Sequence, residues 1–170
     1  LTDALDVNTT LVSLDVSSNF LDDSHLRLLA EALTKNSTLQ ELNVGGNSFH
    51  SAEGIRFFAE RMPFMNGLQC LRMTNIRLTN HQLESLVQGL KGNFRLQKLV
   101  LDNTEHALLT LYLTLNRGGR ILKRLNNSFP ISMWSLVLAR TKTLVSETDN
   151  PVSAADLIYD LLHGPVLLDR

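Results

Sequence analysis

Apolar residues recur along the first two thirds of the chain in one template. In LVSLDVSSNFL, residues 11–21, leucine or valine stands at relative positions 1, 4 and 6, and an asparagine, Asn19, at position 9. The template returns as LQELNVGGNSF from Leu39, LQCLRMTNIRL from Leu68 and LQKLVLDNTEH from Leu96. The steps between first leucines are 28, 29 and 28 residues. Self-similarity at a fixed period of this length predicts stacked supersecondary units. Leu11, Leu14 and Val16 are spaced to enter a core from a short strand and its entry turn. The following residues, Asp23 to Leu33, carry apolar groups at helical spacing, with Asp23 or Ser24 as the expected N-cap. Later copies set Ser51 ahead of Ile55, Phe58 and Met62, and Asn80 ahead of Leu83, Leu86 and Leu90. One strand–helix unit cannot bury its apolar face alone, so neighbouring units must stack.

A second element, leucine, two residues, asparagine, two residues, leucine, lies where each helix hands over to the next strand. It occurs at Leu5-Asn8-Leu11, Leu33-Asn36-Leu39 and Leu90-Asn93-Leu96. Asparagine tolerates left-handed backbone angles and bonds nearby backbone, which suits a helix exit. Asn8, Asn36 and Asn126 also head glycosylation triplets. For Asn8 and Asn36 the helix-exit role is the expected one. The third repeat departs: Met62 to Leu68 is one residue longer, and Pro63 is expected to end its helix. Residues 1–11 match 29–39 at six positions, so the chain reads as opening partway through a repeat.

These features resemble the leucine-rich repeat, and the step of 28 to 29 residues resembles its ribonuclease-inhibitor-like class. The resemblance covers residues 1–120. It implies an α/β right-handed solenoid, a horseshoe with parallel strands on the concave side and helices on the convex side. It also implies that the position-9 asparagine turns inward and bonds the backbone of adjacent turns. A chain bending inside a core leaves amides and carbonyls that must be paired. That ladder lapses at Ile76 and Thr104, where Asn75 and Asn103 stand one position earlier.

The residues between the ladder leucines are implied to face the concave side, as a rigid recognition surface. One row is Ser13, Glu41, Cys70 and Lys98; the next is Asp15, Asn43, Arg72 and Val100; a third is Ser17, Gly45, Thr74 and Asp102. Along the first two, acidic groups give way to basic ones. The expected protein-binding residues are Ser13, Asp15, Ser17, Glu41, Asn43, Arg72, Thr74, Lys98 and Asp102. Gly45-Gly46 is expected to leave a shallow spot for a partner's side chain or to serve turn geometry.

After the repeats, Ala107, Leu108, Leu111 and Leu115 predict one more helical face, which Gly118-Gly119 stops. Residues 121–170 read as a degenerate last strand and a helical C-terminal cap. Its two helices are expected over 131–144, with Trp134, and 152–163, with Leu157 to Leu162. The cap covers an open solenoid end or recruits a partner.

Composition narrows function. With 16 lysines and arginines against 17 acidic residues, nothing pulls the chain toward nucleic acid or an anionic membrane. No apolar run approaches the roughly 20 residues of a membrane span. A single cysteine, Cys70, excludes an internal disulfide framework and fits a reduced, cytoplasmic compartment. No phosphate loop, nucleophile elbow or histidine pair at metal-ligand spacing occurs. The Phe57-Phe58 pair fits the buried side of a repeat helix. The expectation is a non-enzymatic protein-binding module or scaffold, needing no cofactor, metal or small-molecule substrate, with another protein as partner. The alternatives are a regulator of an enzyme, of nuclease-inhibitor or GTPase-activating type, and the structural end of a longer repeat array.

Overall fold

A computed structural model describes residues 2–102 and 106–117. The chain divides into two compact units, residues 1–104 and 105–170. In the first, strands and helices alternate: α1 (Thr2–Val7), β1 (Ser13–Asp15), α2 (Asp23–Lys35), β2 (Glu41–Asn43), α3 (Ala52–Arg61), a 3-10 turn (Met62–Phe64), β3 (Cys70–Met73), α4 (Asn80–Gly92) and β4 (Lys98–Leu101). The four strands form one parallel sheet in the order β1-β2-β3-β4. Register follows the repeat: Leu14 pairs with Leu42, Leu42 with Leu71, and Leu71 with Leu99. The backbone ladder runs on past the strands, with Val16 N–H donating to Asn43 O and Val44 N–H to Arg72 O, each at 2.9 Å.

The core lies between sheet and helices. Leu42, Val44, Leu71 and Met73 enter it from the strands, and Leu26, Leu29, Leu33, Ile55, Phe58, Leu83, Leu86 and Leu90 from the helices. Leu11, Leu14 and Val16 are only half-buried, because β1 is the edge strand and has one neighbour. The predicted pair Phe57-Phe58 divides. Phe58 is fully buried, whereas Phe57 is half-buried between the guanidinium groups of Arg27 and Arg61, 4.5 and 4.6 Å from its ring centre.

Helix starts differ from expectation by one residue. Asp22, not Asp23 or Ser24, caps α2, and its carboxylate accepts from Ser24 N–H and His25 N–H. Thr79, not Asn80, caps α4, and Gln82 returns a bond to its backbone. Ser51 caps α3 as expected. Asp23 serves a different end: its Oδ2 accepts Ser51 N–H at 2.9 Å, tying one repeat to the next. The 3-10 turn holding Pro63 follows α3 and absorbs the extra residue of the third repeat.

The handover asparagines act through side chains, and their backbones are extended, not left-handed: φ is −80° at Asn36 and −93° at Asn93. Asn36 Oδ1 accepts from Thr38 and Leu39, while its amide donates to Leu5 O and Asn8 O of the preceding repeat. Asn93 repeats this with Arg95, Leu96, Met62 O and Met65 O. Asn36 is 4% exposed. Asn8 Oδ1 accepts from Thr10 and Leu11 in the same way.

The second unit contributes one described helix, α5 (Ala107–Arg117). Leu111 and Leu115 are buried as expected, but Leu108 is 46% exposed, and Leu109, Tyr112 and Leu113 join the buried set. The expected degenerate strand, both later helices and Trp134 lie outside the described residues. No helix among the described residues is long and apolar enough to cross a membrane.

Candidate functional site

Alternation along each strand sends one set of side chains toward the helices and the next to the opposite face. That opposite face carries the two rows read from the repeat. Ser13, Glu41, Cys70 and Lys98 are register partners in succession, as are Asp15, Asn43, Arg72 and Val100. Ser13, Asp15, Glu41, Arg72 and Lys98 are exposed, Asn43 and Val100 are half-buried, and Cys70 is buried between its neighbours. The structure thus places all the predicted strand residues on one surface, with Ser17, Thr74 and Asp102 just past the strand ends.

Asp15 is held in place. Its Oδ1 accepts Ser17 N–H at 2.9 Å and Ser17 Oγ–H at 2.6 Å, and its Oδ2 accepts the Asn43 amide at 2.9 Å. The Ser17 hydroxyl, the Ser17 amide, Asn43 and the positive charge of Arg72 hold its pKa below the usual 3.8. Asn43 Oδ1 in turn accepts Gly45 N–H at 3.1 Å. Glu41, Arg72 and Lys98 form no ion pair within 4.0 Å among the described residues. Carboxylates therefore lie over β1 and β2, and free cations over β3 and β4.

The turns above the strands share a geometry that spacing alone did not reveal. Position 8 of the repeat is left-handed in three copies, with φ 54° at Ser18, 64° at Gly46 and 56° at Asn75. Ser18 N–H donates to Gly45 O and Gly46 N–H to Thr74 O. Asn75 N–H donates instead to the Asp102 carboxylate. Glycine and asparagine at position 8 were the available signal. The expected shallow spot at Gly45 is filled: a β-carbon there would stand 2.8 Å from Thr74 O and Thr74 Oγ1.

The position-9 asparagine divides too. Asn47 is the inward clamp, 7% exposed. Its Oδ1 accepts Asn19 N–H and Leu21 N–H at 3.0 Å, and its amide donates to Val16 O and Val44 O. Asn19 is exposed and bonds only Ser17 O through its side chain. The Asn47 clamp reaches from its own repeat into the turn before it, and β1 is the first strand of the sheet. Next to Asn19, Phe20 is 91% exposed.

Away from the sheet face, a concavity of about 390 Å³ opens between α3 and α4, lined by Ala59, Pro63, Gly89, Arg56, Glu60, Ser85 and Gln88. Arg56 and Glu60 face each other at 3.9 Å, so the lining offers little free charge. Among the described residues no three His, Cys, Asp or Glu side chains gather as a metal set.

No protein-family profile matches the sequence. No curated protein matches it. Among solved structures it is similar to one titled leiomodin-1 actin-binding site 2. The identity is 28% and the TM-score 0.65, over 73% of this chain and 74% of that one. It also aligns with the tropomodulin C-terminal domain of Caenorhabditis elegans at 12% identity and TM-score 0.46, over 73% of this chain and 95% of that one. The expected membership of the ribonuclease-inhibitor-like class is thereby corrected, because the solved structure it is similar to is titled leiomodin-1 actin-binding site 2. A step of 28 to 29 residues and a leucine ladder specify a strand–helix unit, and more than one family builds with that unit. What this chain is similar to is a small α/β domain of leucine-rich-repeat-like fold.

Proposed function

We propose that this chain is a protein-binding module, not an enzyme, that its repeats stack as a leucine-rich-repeat solenoid, and that actin is its partner in a cytoplasmic setting. The observation that carries the reading is the exposed polar face of the parallel sheet, in a chain 28% identical to a structure titled as an actin-binding site. Side chains projecting from a hydrogen-bonded sheet are ordered before a partner arrives, so binding costs little further entropy. Ser13, Asp15, Ser17, Glu41, Asn43, Arg72, Thr74, Lys98 and Asp102 form the proposed contact surface, with Asp15 pre-oriented by Ser17 and Asn43.

The test is binding to monomeric actin by fluorescence titration and to filaments by co-sedimentation, for the native chain and for Asp15→Lys with Arg72→Glu. The native chain binds at least one form, and the double variant binds about tenfold or more weakly, equivalent to about 1.4 kcal/mol. Failure of the native chain to bind either form removes actin as the partner. Unchanged binding by the variant removes the sheet face as the site.

A further inference from the structure

We propose that the sheet face selects partners by charge order, taking an α-helix laid across the strands with its basic end over β1 and β2 and its acidic end over β3 and β4. This deepens the binding-module reading and rests on the sheet face being the contact surface.

Two register rows carry it. Asp15 and Arg72 share a row two strands apart with Asn43 between them, and Glu41 and Lys98 share the other with Cys70 between them. Strands lie about 4.8 Å apart, so the backbone positions of each opposite-charge pair are about 9.6 Å apart. That is about one screening length at 0.1 M salt, so the charges act on one another only weakly and leave room for a partner's charges. The ion pairs among the described residues are Asp22 with His25, Asp6 with Lys35 and Arg56 with Glu60, and none involves these four groups. All four side chains are exposed. Asp102, just past the end of β4, accepts Asn75 N–H of the adjoining turn through its carboxylate.

The spacing chooses the secondary structure of the occupant. Seven residues of an α-helix advance about 10.5 Å and return to the same face. Three residues of an extended strand span a similar length, but their side chains alternate, so the two charges would face opposite ways. A helix with cations at one end and anions seven residues on thus matches both rows together.

The probe is a 21-residue alanine-rich helical peptide with lysines at positions 5 and 9 and glutamates at 12 and 16. Matched peptides carry four lysines or four glutamates at those positions. Affinities are read by amide chemical-shift titration at low salt. The bipolar peptide binds the native chain at least about tenfold tighter than either single-sign peptide, with shifts at Ser13, Glu41, Arg72 and Lys98. Asp15→Lys with Glu41→Lys, and Arg72→Glu with Lys98→Glu, each lose that preference. The fourfold variant regains it, since the helix can lie in the opposite direction.

The proposal is overturned if no peptide binds, if a single-sign peptide binds the native chain as tightly, or if the half-reversed variants keep the preference. The peptide comparison on the native chain stands even if a variant fails to fold. Actin binding without bipolar preference sinks the charge-order proposal alone. Bipolar preference without actin binding sinks only actin as the partner.

Discussion

The turn after β1 and the turn after β3 face the same backbone demand and meet it with different chemistry. After β1, a buried amide from the next repeat, Asn47, accepts Asn19 N–H and Leu21 N–H and donates to two carbonyls. After β3, the position-8 amide, Asn75 N–H, donates to the carboxylate of Asp102, where the same amide after β1, Ser18 N–H, donates to the backbone carbonyl of Gly45. At Ile76 the repeat position of Asn47 is apolar and 7% exposed, so it packs where Asn47 bonds. A turn of this repeat therefore needs its exposed donors met, not a particular residue at a particular position.

Helix caps follow the same division. A carboxylate, Asp22, starts α2, whereas a hydroxyl and an amide, Thr79 and Gln82, start α4. The first region depends on a charge that the second does without.

The largest effect is expected at Asn47. Asn47→Leu strands two amide donors and two carbonyls and should cost about 3 kcal/mol, read as a lower denaturant midpoint. A cost below about 1 kcal/mol would show that the turn relaxes around the lost clamp. Asp102→Ala should cost about 1 kcal/mol, because one donor is stranded near solvent. If it matched Asn47→Leu, the amide and carboxylate solutions would be equal in weight.

Acid should separate the two helix starts. The Ser24 hydroxyl and the His25 amide hold Asp22 well below the usual carboxylate pKa of 3.8. A depressed folded-state pKa means that this stabilisation is present above 3.8 and is lost as pH falls through the folded value. Amide exchange at the start of α2 should therefore accelerate, relative to α4, as pH drops below about 4. Equal acceleration at both starts would show that the cap of α2 does not draw on the charge of Asp22.

The smallest effect is expected at Asn19. Asn19→Leu should change stability by less than about 0.5 kcal/mol, since its side chain is exposed and bonds only Ser17 O. A melt showing a loss near that of Asn47→Leu would place Asn19 in a clamp of its own.

Much of the fold was legible. The period of the ladder located every strand within a residue or two, and the register rows were what the resemblance to a leucine-rich repeat implied. The exposed rows were readable for the same reason, since strand alternation assigns side chains to faces. The caps of α2 and α4 were misplaced because Asp22, Asp23, Ser24, Thr79 and Asn80 are all competent caps, and only backbone direction chooses among them. Gly45 read as open space because sequence does not show that Thr74, from the next repeat, fills it.

By itself, the sequence determined the strand–helix unit, its period and the opposed charges of Asp15, Glu41, Arg72 and Lys98, because all of these follow from periodicity and residue type. Only the tertiary structure decided which asparagine is a clamp. Asn19 and Asn47 occupy the same repeat position, each three residues after a ladder valine. One has a preceding turn to bond and the other stands at the sheet edge, and a hydrogen bond exists only where a partner lies within reach.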